Sequence, residues 1–427
     1  MILMNSEWSL ETKAVQCGWE PKNGEPRVLP IYQSTTYKYD DAEQVAKWFN
    51  LEADGHIYSR LSNPTVDAFE RKMAALEGGI GALATSAGQA ATMVAVANVC
   101  TNGQHLIAAS ALYGGTVALF TNTFKKMGIE VTMVDPEISP AELRRLVRPN
   151  TRAVFGETIS NPGMSVLDFD KFARLAHENG IPFIVDNTFA TPYLCRPFEH
   201  GADVVTHSST KYIDGHATSV GGVIVDSGKF NWKNGKFPEL TEPDESYHGL
   251  IYTKSFGAAA YIAKARSQWI RDVGCYMSPM NAFLSNLGLE TLHVRMDRHC
   301  ANAQVLAEHL EQHPKVAWVN YPGLKSSKYY DRARKYLSGC SGVMTFGVKG
   351  GRVAGETVMN SLKLAAIVVH VADVRTCVLH PSSMTHRQLS DEEQLAAGVT
   401  PDLIRLSVGI ENVKDIIADF DQALAKV

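Results

Sequence analysis

Two residues set the chemistry this chain can perform. Lys211 lies in the run Asp203-Val-Val-Thr-His-Ser-Ser-Thr-Lys-Tyr212, and Asp186 ends the apolar run Pro182-Phe-Ile-Val-Asp186. A lysine amine is a useful nucleophile only where burial or a nearby cation disfavours its charge. A carboxylate that closes a buried strand is costly unless it faces a cationic partner. An amine to form a Schiff base and an anion to keep a ring nitrogen protonated are the two groups that pyridoxal phosphate requires. A lysine in a Ser-Ser-Thr-Lys-Tyr turn is also compatible with an exposed, inert residue. The interval between Asp186 and Lys211 suits two adjacent strand ends, which brings the functional reading level with the inert one.

The elements that must hold these groups follow from periodicity. Helix-like stretches at 65–77, 89–99, 116–127, 140–147 and 169–179 alternate with short apolar runs. Those runs end at Thr85-Ser86 or cover 105–109, 130–134, 152–156, 182–185 and 203–206. This alternation predicts βαβ units and a mostly parallel sheet buried on both faces. Ligands of such α/β sheets sit beyond the carboxyl ends of the strands. Ser86-Ala-Gly88, Glu157, Asp186 and Ser208 to Lys211 all fall at predicted strand ends and should share one crevice.

The organisation predicted is an extended N-terminal arm over residues 1–63 and an α/β domain over 64–285. A smaller α+β domain follows over 286–427, with strands at 316–320, 343–348, 367–370 and 403–408. One long helix is expected from Met280 through Thr291 to His309. The aromatic, turn-rich segment at about 227–256 reads as an insert loop. Ser390-Asp-Glu-Glu393 has the form of a capping box.

Composition removes several classes. The 427 residues are 45% hydrophobic and 20% charged, with a formal charge of −4, so neither nucleic acid nor anionic membrane is expected as partner. Seven scattered cysteines without a Cys-x-x-Cys pair suit reduced thiols in a cytoplasmic enzyme. No secretory leader is expected. Residues 78–124 contain no Asp, Glu, Lys or Arg, yet polar residues break the stretch well short of the roughly 20 apolar residues of a membrane span.

That uncharged stretch matters for anion binding. Ser86-Ala-Gly88-Gln89 sits between a strand and a helix, where backbone amides can point at a phosphate. Ser208 and Thr210 add hydroxyls, but positive charge must come from elsewhere. Tyr58-Ser-Arg60 on the arm is one source, although composition alone favours Arg60 as a solvated surface residue. Tyr113 is either a core aromatic or a ring stacked on a cofactor. Arg405, in Leu403-Ile-Arg-Leu-Ser-Val-Gly409, either snorkels to solvent or waits for a carboxylate. His380 and His386 lack the further ligands of a metal site, and no metal is expected. The glycine fingerprints of dinucleotide and nucleoside triphosphate sites are missing.

Taken together, the motifs resemble the Cys/Met-metabolism group of pyridoxal-phosphate enzymes across nearly the whole chain. The likeness is carried by the Tyr58 to Thr65 arm, the Ser86 to Gln89 turn and Leu112-Tyr-Gly-Gly-Thr116. It continues through Ser160-Asn-Pro162, Asp186-Asn-Thr188, the Asp203 to His216 lysine signature, His380-Pro to Thr385-His386, and Arg405-Leu-Ser-Val-Gly409. The resemblance implies a fold-type I transferase with a seven-stranded sheet, helices on both faces, and pyridoxal 5'-phosphate as cofactor. Lys211 would hold the cofactor and shuttle protons, Asp186 would pair with its ring nitrogen, and Tyr113 would stack on its ring. Gly88, Gln89, Ser208 and Thr210 would bind phosphate. Asn161 would lie near the phenolic oxygen or the substrate carboxylate, which Arg405 would clamp. Tyr58 and Arg60 would reach a neighbouring subunit's phosphate or substrate, implying a homotetramer with shared sites.

Within the family the likeness is greatest to members that exchange the acetate of O-acetyl-L-homoserine for sulfide. These carry an insert like Asn231 to Asp244, whereas methionine γ-lyases lack it and tend to have cysteine where this chain has Gly115. The expected activity is therefore γ-replacement giving L-homocysteine and acetate. A γ-elimination lyase acting on methionine or cystathionine, or a non-catalytic binding protein of the same fold, is the alternative. Two departures stand out. Ala217 occupies a position where the lysine signature usually has Gly, Ser or Asn. His370-Val-Ala-Asp373 replaces the Ser-Leu-Gly-Asp of lyases.

Overall fold

A computed structural model describes residues 7–53, 55–384, 387, 392 and 399–427. Seven strands form the larger sheet: β1 (Gly81–Thr85), β2 (His105–Ala109), β3 (Glu130–Val134), β4 (Thr151–Glu157), β5 (Phe183–Asp186), β6 (Val204–Ser208) and β7 (Gly222–Asp226). Their spatial order is β1-β7-β6-β5-β4-β2-β3. The run from β6 to β3 is parallel, while β7 pairs antiparallel with both β6 and β1. Phe155, Phe183, Ile184, Val185, Val204 and Val205 are fully buried. Each contributes about 1.5–3 kcal/mol on leaving water, which is why central strands read as unbroken apolar runs.

Register places the chemistry. Glu157 pairs with Asp186, and Asp186 with Thr206, so β4 and β5 end level while β6 runs two residues further to Ser208. The helix Pro64–Glu77 supports this layer through local signals: Asn63 accepts from the Thr65 amide, Pro64 opens the first turn, and Gly78 closes it at φ +79°.

The second sheet has strands β8 (Val316–Asn320), β9 (Val343–Val348), β10 (Ala366–Ile367), β11 (Cys377–Leu379) and β12 (Leu403–Ser407), in the order β10-β11-β12-β9-β8. The predicted strand at 367–370 shortens to β10, and β11 was not foreseen. Both are brief, with too few residues to establish a period.

Three further expectations change. The single helix at 280–309 is two helices, Pro279–Glu290 and Leu292–Gln312, with Thr291 leaving helical geometry at φ −110°, ψ 9°. The arm carries the short helices Leu10–Gln16 and Ala42–Phe49. The 227–256 segment is anchored by the buried side chains Trp232, Phe237, Leu240 and Tyr252, with Trp232 stacked on Tyr261 at 5.2 Å. The aromatic character of the segment was legible in the sequence; the burial of these side chains, as with Trp232 against Tyr261, was not. His386 and the capping-box residues Ser390 and Glu393 lie outside the described residues. Among those described, no helix is long and apolar enough to cross a membrane.

Candidate active site

Three strand ends and one turn converge. Lys211 follows β6 in a turn pinned by Thr210, whose hydroxyl donates to the Gly221 carbonyl (3.2 Å) and accepts from the Gly221 amide (3.0 Å). Burial, then the neighbouring Arg405 cation, depress the Lys211 amine to about 8. Its Nζ stands 3.4 Å from Nδ1 of His370.

Asp186 ends β5. Oδ1 accepts from the Thr188 amide (3.0 Å) and hydroxyl (2.5 Å), and the same hydroxyl accepts from the Ser208 amide (2.9 Å). Burial raises the Asp186 acid despite those bonds. Beside it at the end of β4, Glu157 is pushed well up by burial and then by Asp186, and accepts from the Tyr113 amide at 2.7 Å. A neutral Glu157 avoids placing two buried negative charges side by side. Thr188 and Glu157 were not assigned roles from sequence. Thr188 was legible as a hydroxyl two residues after an acid, a common local capping arrangement.

The turn expected to cradle phosphate meets this cluster directly. A Cβ added at Gly88 would fall 2.6 Å from Ser208 Cβ, so only glycine permits the approach. Gly88 opens the helix Gly88–Ala97, whose N-cap Ala87 provides no side-chain acceptor. The first-turn amides therefore remain available to an anion. Gln89 accepts from the Thr116 hydroxyl at 3.2 Å. A Cβ at Gly115 would lie 2.5 Å from Tyr113 Cε1, so the ring occupies space that a side chain at 115 would claim. Tyr113 itself is 48% exposed.

The remaining wall comes from the second sheet. Arg405 on β12 donates to Asn161 Oδ1 at 3.3 Å, while its buried Nε has no partner. Burial lowers its pKa. A buried guanidinium with spare donors suits a planar carboxylate.

Lys211, Asp186, Tyr113, Asn161, Arg405, Gly88, Gln89, Ser208 and Thr210 are thus linked through direct contacts or shared neighbours. Tyr58 and Arg60 are held elsewhere. Arg60 stacks over the Tyr58 ring at 5.5 Å and donates to the Arg271 carbonyl, and both line a shallow cavity with Gln33, Ser34, Tyr276 and Pro279. His380 bonds Ser383 (2.8 Å) and the Pro401 carbonyl (2.9 Å). Among the described residues no cluster of three or more His, Cys, Asp or Glu side chains is arranged to hold a metal.

A profile described as "Cys/Met metabolism PLP-dependent enzyme" matches residues 11–425. The chain belongs to this family. Its relatives within the Cys/Met-metabolism family include homocysteine synthase of Schizosaccharomyces pombe, 48% identical over 97% of each chain. O-acetyl-L-homoserine sulfhydrylase of Leptospira meyeri is 45% identical, covering 98% of this chain and 97% of its own. Among solved structures, a putative O-acetylhomoserine (thiol)-lyase from Campylobacter jejuni superposes with a TM-score of 0.94 at 36% identity. The match covers 98% of this chain and all of that one, which holds N'-pyridoxyl-lysine-5'-monophosphate. The family is pyridoxal-phosphate dependent, and the site here fits that cofactor: a depressed amine, an acid that burial raises until a cation faces it, and an uncapped helix start beside two hydroxyl residues.

Proposed function

We propose that this protein catalyses γ-replacement, converting O-acetyl-L-homoserine and sulfide to L-homocysteine and acetate in methionine biosynthesis. The observation that carries the reading is a depressed lysine amine beside a half-buried arginine whose buried Nε has no partner. That pairing suits a substrate with an α-amine and an α-carboxylate. The names of the relatives, the 231–244 segment and the glycine at 115 favour a sulfhydrylase over a lyase.

Bound pyridoxal phosphate supplies an electron sink for negative charge developing at Cα. Lys211 would hold the cofactor until the substrate's amine displaces it; the freed amine would then carry protons one at a time from Cα and Cβ and return them once sulfur has added. Asp186 keeps the ring nitrogen protonated, with Thr188 fixing the carboxylate's orientation. Tyr113 stacks on the ring, its backbone anchored by Glu157. Arg405 and Asn161 grip the substrate carboxylate. Gly88, Gln89, Ser208 and Thr210 bind the phosphate. Acetate leaves Cγ with its bonding pair, and hydrosulfide forms the new C–S bond there. Tyr58 and Arg60 complete the site of a neighbouring copy in a cytoplasmic homotetramer. Residues 64–285 serve as the cofactor-binding unit and 286–427 supply Arg405 of the carboxylate clamp.

The test is turnover of O-acetyl-, O-succinyl- and O-phospho-homoserine, methionine and cystathionine, each with and without sulfide. Sulfide-dependent release of acetate and homocysteine from the acetyl ester is expected. Release of 2-oxobutanoate and ammonia without sulfide replaces this reading with a lyase.

A further inference from the structure

Lys211 is the group on which the proposed chemistry turns, and its amine meets one side chain not yet given a task. His370 Nδ1 lies 3.4 Å from Nζ, whereas Nε2 is buried and has no hydrogen-bond partner. The backbone carbonyl of His370 is within 3.5 Å of Arg405 Nη2 and accepts from the Cys377 thiol at 3.4 Å. The main chain is therefore tied to the carboxylate clamp while the ring faces the amine. Among the described residues, Lys211 is the one hydrogen-bond partner of this imidazole.

We infer that His370 is a positioning residue for Lys211, its Nδ1 accepting a hydrogen bond from the lysine whenever that amine is free and protonated. An ammonium can only donate, so Nδ1 must present its lone pair and the ring proton must sit on Nε2. The inference rests on Lys211 being the nucleophile. Burial, then Lys211, hold His370 down to about 4, with Arg405 adding to the depression and Asp373 and Asp214 opposing it. The ring is consequently neutral and able to accept throughout the working pH range. Cys377, also against this segment, has its thiol pushed up to about 11 by burial and adds no competing charge near neutrality. An acceptor beside Nζ stabilises the charged amine and returns it to one orientation after each proton transfer.

The experiment uses the full-length protein stripped of cofactor and mixed with pyridoxal phosphate between about pH 6 and 10, the span in which a depressed lysine titrates. Capture is followed by visible absorbance, and borohydride reduction with mass mapping locates the attachment. Loss of the acceptor in His370→Leu should lower the midpoint of the capture rate by about one pH unit, because the ammonium loses a stabilising partner. His370→Asn can place Oδ1 near the position of Nδ1 and should leave the midpoint within a few tenths of wild type. His370→Ala supplies the same test as leucine should that variant not fold. An unmoved midpoint in both apolar variants, with wild-type capture at Lys211, overturns this inference alone. Failure of the wild type to capture at Lys211 at any pH overturns the functional reading and this one with it.

Discussion

Two lysines in this molecule, Lys211 and Lys264, have amines depressed by burial to about 8, and they are built for opposite ends. Lys264 closes the helix Ala260–Lys264 and donates to the Asn98 carbonyl (3.1 Å) and Oδ1 (3.3 Å). Glu239 and Asp244 pull its pKa back upward. Lys211 instead faces the Arg405 cation, and its hydrogen-bond partner is one imidazole nitrogen. Depression alone therefore does not mark a nucleophile. A buried amine surrounded by acceptors is a structural bolt, whereas one pressed against a cation is held ready to lose its proton.

The sharpest way to break this contrast is to remove each amine in turn. Lys211→Ala should cut turnover on the order of 10³-fold or more, as loss of both the covalent anchor and the base predicts. The cofactor colour should go with it while the fold survives. Lys264→Met should keep both. Borohydride-trapped cofactor mapping to Lys264 instead of Lys211 would reverse the assignment.

The contrast also explains what was legible in the chain. Lys211 and Asp186 could be found because each ends or follows a short apolar run, and strand ends in parallel sheets are where ligands gather. The β2 and β3 strands match their expected ranges, although only β2 is buried along its whole length; β3, at the sheet edge, keeps Glu130 exposed. Lys264 also follows an apolar run, Gly257 to Ala263, but that run folds as helix rather than strand and its acceptor Asn98 is remote in sequence. His370 was legible only as an odd residue in a segment of known type. Its contact with Lys211 depends on how the second sheet meets the first, which local periodicity does not encode. The break at Thr291 was hidden because apolar residues at helical spacing, Leu289, Leu292 and Met296, run straight across it.

A second test acts on the cation that distinguishes the two sites. Arg405→Leu removes a charge-assisted grip worth about 1.5–3 kcal/mol, so KM for the amino-acid substrate should rise roughly 10- to 100-fold with a smaller change in kcat. Removing that cation also raises the Lys211 pKa, and the acidic limb of the pH–rate profile should move toward higher pH. Stability around Lys264 should be untouched. A variant with unchanged KM would show that Arg405 does not contact the substrate.

The pH dependence of stability separates the lysines next. The Lys264 pKa is about 8 folded against 10.5 as an ordinary lysine. Below pH 8 both states carry the charge, and the folded state bears the full penalty of burying it. Between these values the unfolded state binds more protons, so stability rises with pH and levels off above the upper one. Lys264→Met should flatten the wild-type slope there by about 1 kcal/mol per pH unit, measured by urea unfolding of the cofactor-loaded protein. With Lys211 engaged by cofactor, that comparison isolates Lys264.

The smallest effect concerns the backbone near Lys211. Ala217 and Ala372 adopt φ of +57° and +68°, and each occupies a position where the family resemblance places glycine among the usual residues. The left-handed region costs a Cβ-bearing residue roughly 1–2 kcal/mol, and glycine returns about 0.5–1 kcal/mol of that as unfolded-chain entropy. Ala217 is exposed, in a loop tied down by Asp214 accepting from the His216 (3.1 Å) and Thr218 (2.9 Å) amides. Ala217→Gly should therefore stabilise the protein by about 0.5 kcal/mol. Ala372 is fully buried and its amide donates to the Ser407 hydroxyl at 2.7 Å. Removing its methyl forfeits about 0.8 kcal/mol of burial, so Ala372→Gly should come out near neutral. Strain of this kind persists where surrounding contacts over-determine the backbone, which suits the segments on either side of a reactive amine. Thermal unfolding of the two variants side by side decides it, and a destabilised Ala217→Gly would mean that the loop, not the torsion, sets the energy there.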